Sequence, residues 1–327
     1  MGDTIDVDLS GKIILLTGGT GSFGTAFVRR VCAAWPDSTI RIYSRDELKQ
    51  QVLSEQAPDD GLRFFIGDVR DRDRLCRAAQ GADYIVHAAA MKQVMACEYN
   101  PSEAVATNVA GAQNIVDAAI ATGVTRVIAL STDKAVNPVN LYGATKLCQE
   151  KIITQGNSYA PHSPTRLACV RYGNVVGSRG SVVPVFLDQR KRGSLTITDE
   201  RMTRFWITLD QAVDLVLFAL EHAAGGEIFI PKIPSMRVVD LAEAIAPGIP
   251  REVVGIRPGE KLHELLLTSD EARHAVDSDG VFVVTPEHPW WTDHSQWVDG
   301  KPLAEGFVYA SDTNTEWLGP DELRAML

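Results

Sequence analysis

Six short apolar runs, separated by segments of helical periodicity, constrain this chain more than any other feature. They extend from Lys12 to Thr17, Thr39 to Ser44, Leu62 to Ile66, Ala82 to Ala88, Thr125 to Ser131 and Thr165 to Arg171. Apolar strands of this kind, with helices between them, predict an α/β fold built on a doubly wound parallel sheet. Residues 101–122 and 142–159 have helical periodicity, the first with small residues that allow close helix contacts. After Arg171 the rhythm breaks: Tyr172–Ile207 is rich in Gly, Ser and Arg, Leu209–His222 returns to an amphipathic helix, and 233–290 is turn-rich. The expected division is a dinucleotide-binding domain (1–176 with 208–230), a smaller discontinuous lobe (177–207 with 231–292) and an ordered tail (293–327).

With 327 residues, 45% of them apolar, the chain can bury two cores. A formal net charge of −10 and the lack of any long Lys/Arg run exclude nucleic acid and anionic membrane as general partners. No apolar stretch reaches the roughly 18 residues of a spanning helix and the amino terminus is acidic, so neither anchor nor signal peptide is expected and a cytoplasmic location follows. Cys32, Cys76, Cys97, Cys148 and Cys169 are odd in number and form no CxxC pair, which fits reduced thiols. The scattered histidines have no metal-binding spacing, and no metal is expected.

Directly after the first apolar run comes Thr17-Gly-Gly-Thr-Gly-Ser-Phe-Gly24, then a helix over Thr25–Ala34. Gly18, Gly21 and Gly24, with Thr20, Ser22 and Phe23 between them, are spaced to let the backbone approach a dinucleotide pyrophosphate at the helix amino end. The second strand ends Ile42-Tyr43-Ser44-Arg45, without the acidic residue that usually receives the ribose hydroxyls. Ser44 and Arg45, with Lys49 a turn later, suit a 2′-phosphate, so NADP is expected over NAD; the alternative leaves Arg45 in solvent and gives the ribose to Asp46. Asp68 and Val69, after the third strand, are placed to hold the adenine edge, and Ala88 and Ala89, after the fourth, leave room beside the cofactor.

Ser131-Thr-Asp-Lys134 and Tyr142-x-x-x-Lys146 fall within sixteen residues. Thr132, Asp133 and Lys134 lie just past a strand end, where open α/β sheets bind ligands. Tyr142 and Lys146 share one helical face, so the Lys146 ammonium is expected near the Tyr142 oxygen, where it would stabilise a phenolate base. A strand-end ion pair is the duller alternative for Asp133 and Lys134.

The glycine pattern with Tyr142 and Lys146 resembles the extended short-chain dehydrogenase/reductases that act on nucleotide sugars. Longer segments carry a narrower likeness: Tyr43-Ser-Arg-Asp-Glu-Leu-Lys-Gln50, Met91-Lys-Gln-Val94, Asn137-Pro-Val-Asn-Leu-Tyr-Gly-Ala-Thr-Lys146, Arg171-Tyr-Gly-Asn-Val-Val-Gly-Ser-Arg-Gly-Ser-Val-Val-Pro184, Met202-Thr-Arg-Phe-Trp206 and Pro258-Gly-Glu-Lys-Leu-His263. These resemble the inverting UDP-N-acetylglucosamine 4,6-dehydratases of pseudaminic acid biosynthesis, from about residue 10 to Ser311-Asp-Thr-Asn314 and Trp317-Leu318. Met95 stands where that family usually has proline, and Ser102 and Ala106 replace a commoner aromatic residue and lysine, all expected near the substrate.

The resemblance implies a tightly bound NADP recycled in each turnover, a UDP-sugar substrate and a homo-oligomer of two or more copies paired through helices 101–122 and 142–159. Catalytic roles fall to Thr132, Asp133, Lys134, Tyr142 and Lys146. Tyr142 would deprotonate the sugar 4-hydroxyl, a neutral Lys134 would take the carbon-5 proton, and Asp133 would protonate the departing 6-hydroxyl. The implied substrate contacts are Lys92, Asn174, Arg179, Ser181, Thr196 along the uracil, Arg204 and Arg257 on the diphosphate, and Glu260; either arginine could instead brace the lobe interface. The Gln189–Arg192 segment is expected to be a solvated helix end. Rivals on the same scaffold are a 4-epimerase, a retaining or 5,6-alkene-forming dehydratase, and a non-catalytic NADP sensor.

Overall fold

The computed structural model describes residues 7–57, 61–178, 181–278, 280–287, 297 and 300–326. The six apolar runs form β1 (Ile13–Thr17), β2 (Thr39–Ser44), β3 (Leu62–Ile66), β4 (Tyr84–His87), β5 (Arg126–Leu130) and β6 (Arg166–Val170). Their crossovers include α1 (Ser22–Ala34), α2 (Glu47–Gln56), α3 (Arg72–Ala79), α4 (Val94–Tyr99), α5 (Pro101–Val105), α6 (Gly111–Thr122) and α7 (Leu141–Gly156). Beyond them follow β7 (Asn174–Val175), α8 (Val182–Arg192), β8 (Leu195–Ile197), β9 (Thr203–Ile207), α9 (Leu209–His222) and β10 (Ile228–Pro231).

Seven strands pair in parallel in the order β3-β2-β1-β4-β5-β6-β10. The chain reverses direction across the sheet between β1 and β4, so a crevice opens there at the carboxyl ends of both strands. Leu15, Leu16, Ile40, Ile42, Ile85, Val127, Ile128, Leu167 and Ala168 are fully buried in the sheet, and the apolar stripe of α9 (Ala212, Val213, Leu215, Val216, Ala219) packs into the same core.

Residues 106–110 link α5 to α6 through a π-helical turn, so 101–122 is one helix with a local widening. Asn108, fully buried on that turn, accepts from Met91 N, donates to Met91 O and reaches the Thr145 hydroxyl, at 2.9, 2.9 and 3.0 Å. The loop after β4 is thereby tied to α7.

Val183, Phe186, Leu195, Ile197, Met202 and Trp206 form a second core with Met236, Leu241, Ala242 and Ile245. However, β14 (Ala275–Ser278) and β15 (Val281–Val284) do not belong to it; they extend the main sheet by antiparallel pairing to β10, preceded in the chain by β11 (Ser235–Arg237), α10 (Val238–Ile245), β12 (Arg251–Val253), β13 (Leu265–Leu267) and α11 (Ser269–Ala272). The Val281-Phe-Val-Val284 run is apolar at every position, as a strand covered on both faces requires. The tail is likewise built in: β16 (Lys301–Pro302) pairs with β14, β17 (Tyr309–Ala310) pairs with β13, and Leu323 enters the lobe core.

Arg171, at the end of β6, is 1% exposed. Its guanidinium donates to both carboxylate oxygens of Glu150 on α7 (2.9 and 2.8 Å), to both oxygens of Glu271 on α11 (3.1 and 2.7 Å) and to Leu266 O (2.9 Å). Removing one member of such a buried group leaves the remaining charges uncompensated. Glu150→Ala is therefore expected to destabilise the protein by about 3–5 kcal/mol, measured as a lower midpoint in chemical denaturation.

Candidate active site

A cleft of about 720 Å³ runs from the glycine turn to the lobe. Its walls carry Gly18, Thr20, Gly21, Ser22, Phe23 and Gly24 at one end, Ser44, Arg45, Lys49, Asp68 and Val69 beyond them, Ala88 and Ala89 in the middle, and Thr132, Lys134, Tyr142, Lys146, Lys92, Asn174 and Ser181 at the other end. Most residues expected on sequence grounds are therefore brought to one cavity.

Gly18 has a φ of 68°, and a Cβ there would stand 2.8 Å from Ala89 N. A side chain is excluded where β1 and β4 part. No side chain caps the amino end of α1 and its first turn has no acidic residue, as an incoming phosphate requires. Thr107 Oγ1, Ser131 Oγ, Asn174 Oδ1 and Ser181 Oγ line or border the same cleft as buried polar atoms without a protein partner. The residues present thus fit a dinucleotide and a second polar ligand.

Arg45 is exposed and lies 3.8 Å from Asp68, which also binds Arg70 at 2.7 Å. Lys49 pairs with Asp46 at 2.6 Å, and Asp46 caps the backbone of α2. The expected cations are present, each already facing a carboxylate.

The strand β5 delivers Ser131 and Thr132 to the cleft, and the chain then tightens into a 3-10 turn over Asp133–Ala135. Asp133 is fully buried; its Oδ1 accepts from the Thr132 hydroxyl at 2.9 Å and from Lys134 Nζ at 3.0 Å. Its backbone N–H donates to Tyr172 O, which fixes the turn against the start of the lobe. Lys134 Nζ also lies 3.4 Å from Glu264 Oε1. Burial works against charge on Lys134, but Asp133 and Glu264 together overcome it and push the amine above its ordinary value, with Arg204 opposing. These neighbours favour the protonated amine over the neutral Lys134 expected for the base.

Tyr142 follows Asn140, whose side chain accepts from Gly143 N at 2.8 Å and starts α7. Burial raises the phenol to about 12, Lys134 lowers it, Asp133 raises it, and a hydrogen bond with Thr132 lowers it. Lys146 has partners of its own. Its Nζ donates to Leu130 O at 2.6 Å and to Gln149 Oε1 at 2.7 Å, and burial lowers it to about 8. A shared helical face brings Tyr142 and Lys146 near each other, yet the carbonyl that ends β5 captures the amine, and Lys134 is the cation that acts on the phenol.

Several substrate assignments also change. Arg204 is 9% exposed and donates to the carbonyls of Thr203, Lys261 and Leu262, so it braces the lobe rather than standing free for a diphosphate. Thr196 is bound by Gln189, which donates to its hydroxyl at 2.7 Å and accepts from its N–H at 3.1 Å; Arg190 donates to Ile245 O, while Arg190, Lys191 and Arg192 are exposed at the end of the helix. Arg257 is exposed on a turn closed by Glu260, and neither lines the cleft. Met95, Ser102 and Ala106 do not line it either. Arg179 lies outside the described residues.

The sequence reading missed Glu264 and Lys261. Glu264 is 2% exposed, and its two oxygens stand near Lys134, Arg204 and Lys261. The nearest signal was Pro258-Gly-Glu-Lys-Leu-His263, which stops one residue short.

The chain matches the model of a family described as polysaccharide biosynthesis protein over residues 14–286. It is 48% identical over 322 residues to a Campylobacter jejuni protein named UDP-N-acetylglucosamine 4,6-dehydratase (inverting), covering 96% of each chain. A Rickettsia akari protein named UDP-glucose 4-epimerase is 40% identical over 97% of this chain and 95% of its own. Among solved structures, Pen from Bacillus thuringiensis superposes with a TM-score of 0.89 at 40% identity, covering 98% of both chains. The dTDP-glucose 4,6-dehydratase DesIV from Streptomyces venezuelae, solved with NAD and TYD bound, gives 0.68 at 25% identity over 76% of this chain and 86% of its own.

Gly143 sits where α7 crosses the turn of Lys134, and a Cβ there would meet Lys134 O at 2.1 Å. Gly143→Ala must push Tyr142 away from Asp133 and Lys134. A displacement near 1 Å costs about 100-fold in rate, so kcat is expected to fall by about that factor while circular dichroism stays native.

Proposed function

The chain belongs to the polysaccharide biosynthesis protein family, within the extended short-chain dehydrogenase/reductases, and on that premise we propose that it is an inverting UDP-N-acetylglucosamine 4,6-dehydratase. The observation that carries the reading is the ion pair of the buried Asp133 with Lys134, beside Tyr142, in a dinucleotide-sized cleft. Oxidation at carbon 4 alone, as in epimerisation, needs a base for one hydroxyl; loss of water across carbons 5 and 6 needs a further base and a further acid. The pair supplies both. Near-full-length likeness to the Campylobacter jejuni dehydratase supports the same activity.

When bound, a nicotinamide cofactor accepts the hydride of carbon 4 and returns it to carbon 6. Tyr142 as phenolate takes the proton of the 4-hydroxyl, with Thr132 hydrogen-bonded to the reacting oxygen. Lys146, already beside Leu130 O and lining the cleft, would help to hold the cofactor. Once carbon 4 is a ketone, the carbon-5 proton is acidic. Transfer of one proton across the 3.0 Å contact from Lys134 to Asp133 gives a neutral amine to take the carbon-5 proton and a carboxylic acid to protonate the leaving 6-hydroxyl. Water departs, and reprotonation of carbon 5 from the opposite face yields the inverted 4-keto-6-deoxy sugar. Lys92, at the rim of the cleft, and the unpartnered Asn174 Oδ1 and Ser181 Oγ are the substrate contacts this geometry supports best; Arg179 remains proposed for the diphosphate.

Ser44, Arg45 and Lys49 support NADP as the cofactor, and the assembly is a homo-oligomer acting in the cytoplasm. Among the described residues no helix is long and apolar enough to cross a membrane, and no cluster of His, Cys, Asp and Glu forms a metal site.

The epimerase names among the relatives make a 4-epimerase the second reading, and one experiment separates them. Incubated with UDP-N-acetylglucosamine in deuterated water, the protein is expected to give a 6-deoxy-4-keto product with deuterium and inverted coupling at carbon 5 in proton NMR. Formation of UDP-N-acetylgalactosamine without loss of water would instead establish epimerisation. Asp133→Asn and Lys134→Met are expected to nearly abolish dehydration while leaving cofactor and sugar nucleotide bound, read in a binding titration; wild-type turnover in either variant would reject these roles. For the cofactor, Arg45→Ala is expected to weaken NADP about tenfold, ~1.4 kcal/mol, while leaving NAD nearly unaffected in a binding titration.

A further inference from the structure

The groups that face Lys134 come from four elements. Asp133 shares its turn, Tyr142 faces it from α7, Arg204 from β9, and Glu264 with Lys261 from the segment before β13. Two carboxylates, Asp133 and Glu264, thus stand among three cations. Without Glu264 the excess of positive charge would act on Lys134 with only Asp133 to offset it. Arg204 cannot give up a proton, so the strain would fall on the lysines.

Glu264 is held where it can prevent this. Its N–H donates to Ser311 Oγ and its carbonyl accepts from Ser311 N, both at 2.9 Å, and the Ser311 hydroxyl is bound in turn to Thr203 at 2.7 Å. Its Oε1 lies 3.4 Å from Lys134 Nζ, and its Oε2 is 3.7 Å from Lys261 Nζ with no hydrogen-bond partner. It does not line the cleft, so it works through Lys134 and does not touch the sugar.

We propose that Glu264 is a positioning residue that keeps one proton on the Asp133–Lys134 pair across the working pH range. This deepens the dehydratase reading and rests on it. The proton is the one the elimination step uses. If the pair loses it to solvent, Lys134 can still take the carbon-5 proton, but Asp133 has nothing to give the 6-hydroxyl. Oxidation at carbon 4, carried by Tyr142, continues, and the 4-ketone accumulates with the cofactor reduced. The direction with pH follows from the charges. A neighbouring carboxylate raises the pH at which Lys134 loses its proton, so removing it brings that loss to lower pH.

The test is a single-turnover experiment on the cofactor-loaded protein with UDP-N-acetylglucosamine in deuterated buffer, at about pH 7 and about pH 9. Reduced nicotinamide is followed by absorbance and the sugar by NMR. The Glu264→Gln variant is expected to accumulate reduced cofactor at the higher pH, with carbon-5 deuterium in undehydrated ketone and dehydrated product down about tenfold relative to its own value at the lower pH. Glu264→Asp, which keeps the charge, is expected to recover at least part of that ratio. The proposal is overturned if Glu264→Gln keeps the wild-type ratio between the two pH values. It is overturned equally by a loss of the same size at both, without reduced cofactor, since that is the mark of a purely structural brace. A wild-type protein that neither reduces its cofactor nor forms ketone would remove the dehydratase premise itself.

Discussion

Arg171 sets the frame on which the site is built. A guanidinium removed from water is tolerated only when its donors are met, and here Glu150, Glu271 and Leu266 O meet them. The partners lie on three separate parts of the chain. Glu150 is one turn beyond Lys146 on α7, Arg171 directly follows β6, and Glu271 sits in the capping box that starts α11. Once the charges are buried, α7 cannot slide along its axis or rotate relative to β6 without breaking several charge-assisted bonds. Tyr142 and Lys146 therefore arrive at the cleft in a fixed register, and the segment carrying Glu264 is anchored a few residues before α11.

The same logic explains why the carboxyl-terminal part of the chain matters to a site near residue 133. Ser311 on the tail bonds Glu264 and Thr203, and Thr203 also bonds His263 Nδ1 at 2.8 Å. Asn140, which starts α7, donates to Gly259 O at 2.8 Å. These neutral bonds tie the turn before β13 to both the lobe and the catalytic helix. The lobe is thus not hung from the sheet by a hinge at this point; its floor is shared with the acid-base turn, and a sugar bound between them meets groups whose positions are set from both sides.

The six parallel strands, the glycine turn and the approximate site were legible because they depend on local pattern: a buried strand must be apolar, and a close backbone approach must be glycine. Helix Leu209–His222 was legible for the same reason, from its apolar stripe. What was not legible depends on choices among partners. Spacing places Lys146 on the face of Tyr142, but it does not reveal that Leu130 O and Gln149 will compete for the amine. Arg204 looks like a phosphate ligand in a linear chain because nothing nearby in sequence announces the carbonyls of Lys261 and Leu262. Glu264 meets Lys134 from 130 positions away, and no periodicity records such a meeting. The strands β14 and β15 were assigned to the lobe because their order along the chain follows it, whereas an unbroken Val281–Val284 run already favoured a place in the main sheet.

An ion pair at rest is a sensible starting point for an elimination that needs an acid and a base together. As separate groups, a carboxylic acid and a free amine at neutral pH would each be in the wrong protonation state. As neighbours 3.0 Å apart, they share one proton, and its movement along the hydrogen bond creates both required forms at once. Water stabilises the charged arrangement, whereas loss of water from the cleft favours the neutral one. A sugar nucleotide that fills the cleft would thus shift the pair towards its reactive form, while an open cleft keeps it charged. Glu264 acts against that shift and preserves the proton; substrate burial acts with it. In the proposed mechanism the balance between these two opposing influences, rather than either residue alone, confines the acid and base to the moment when carbon 5 is ready to lose its proton.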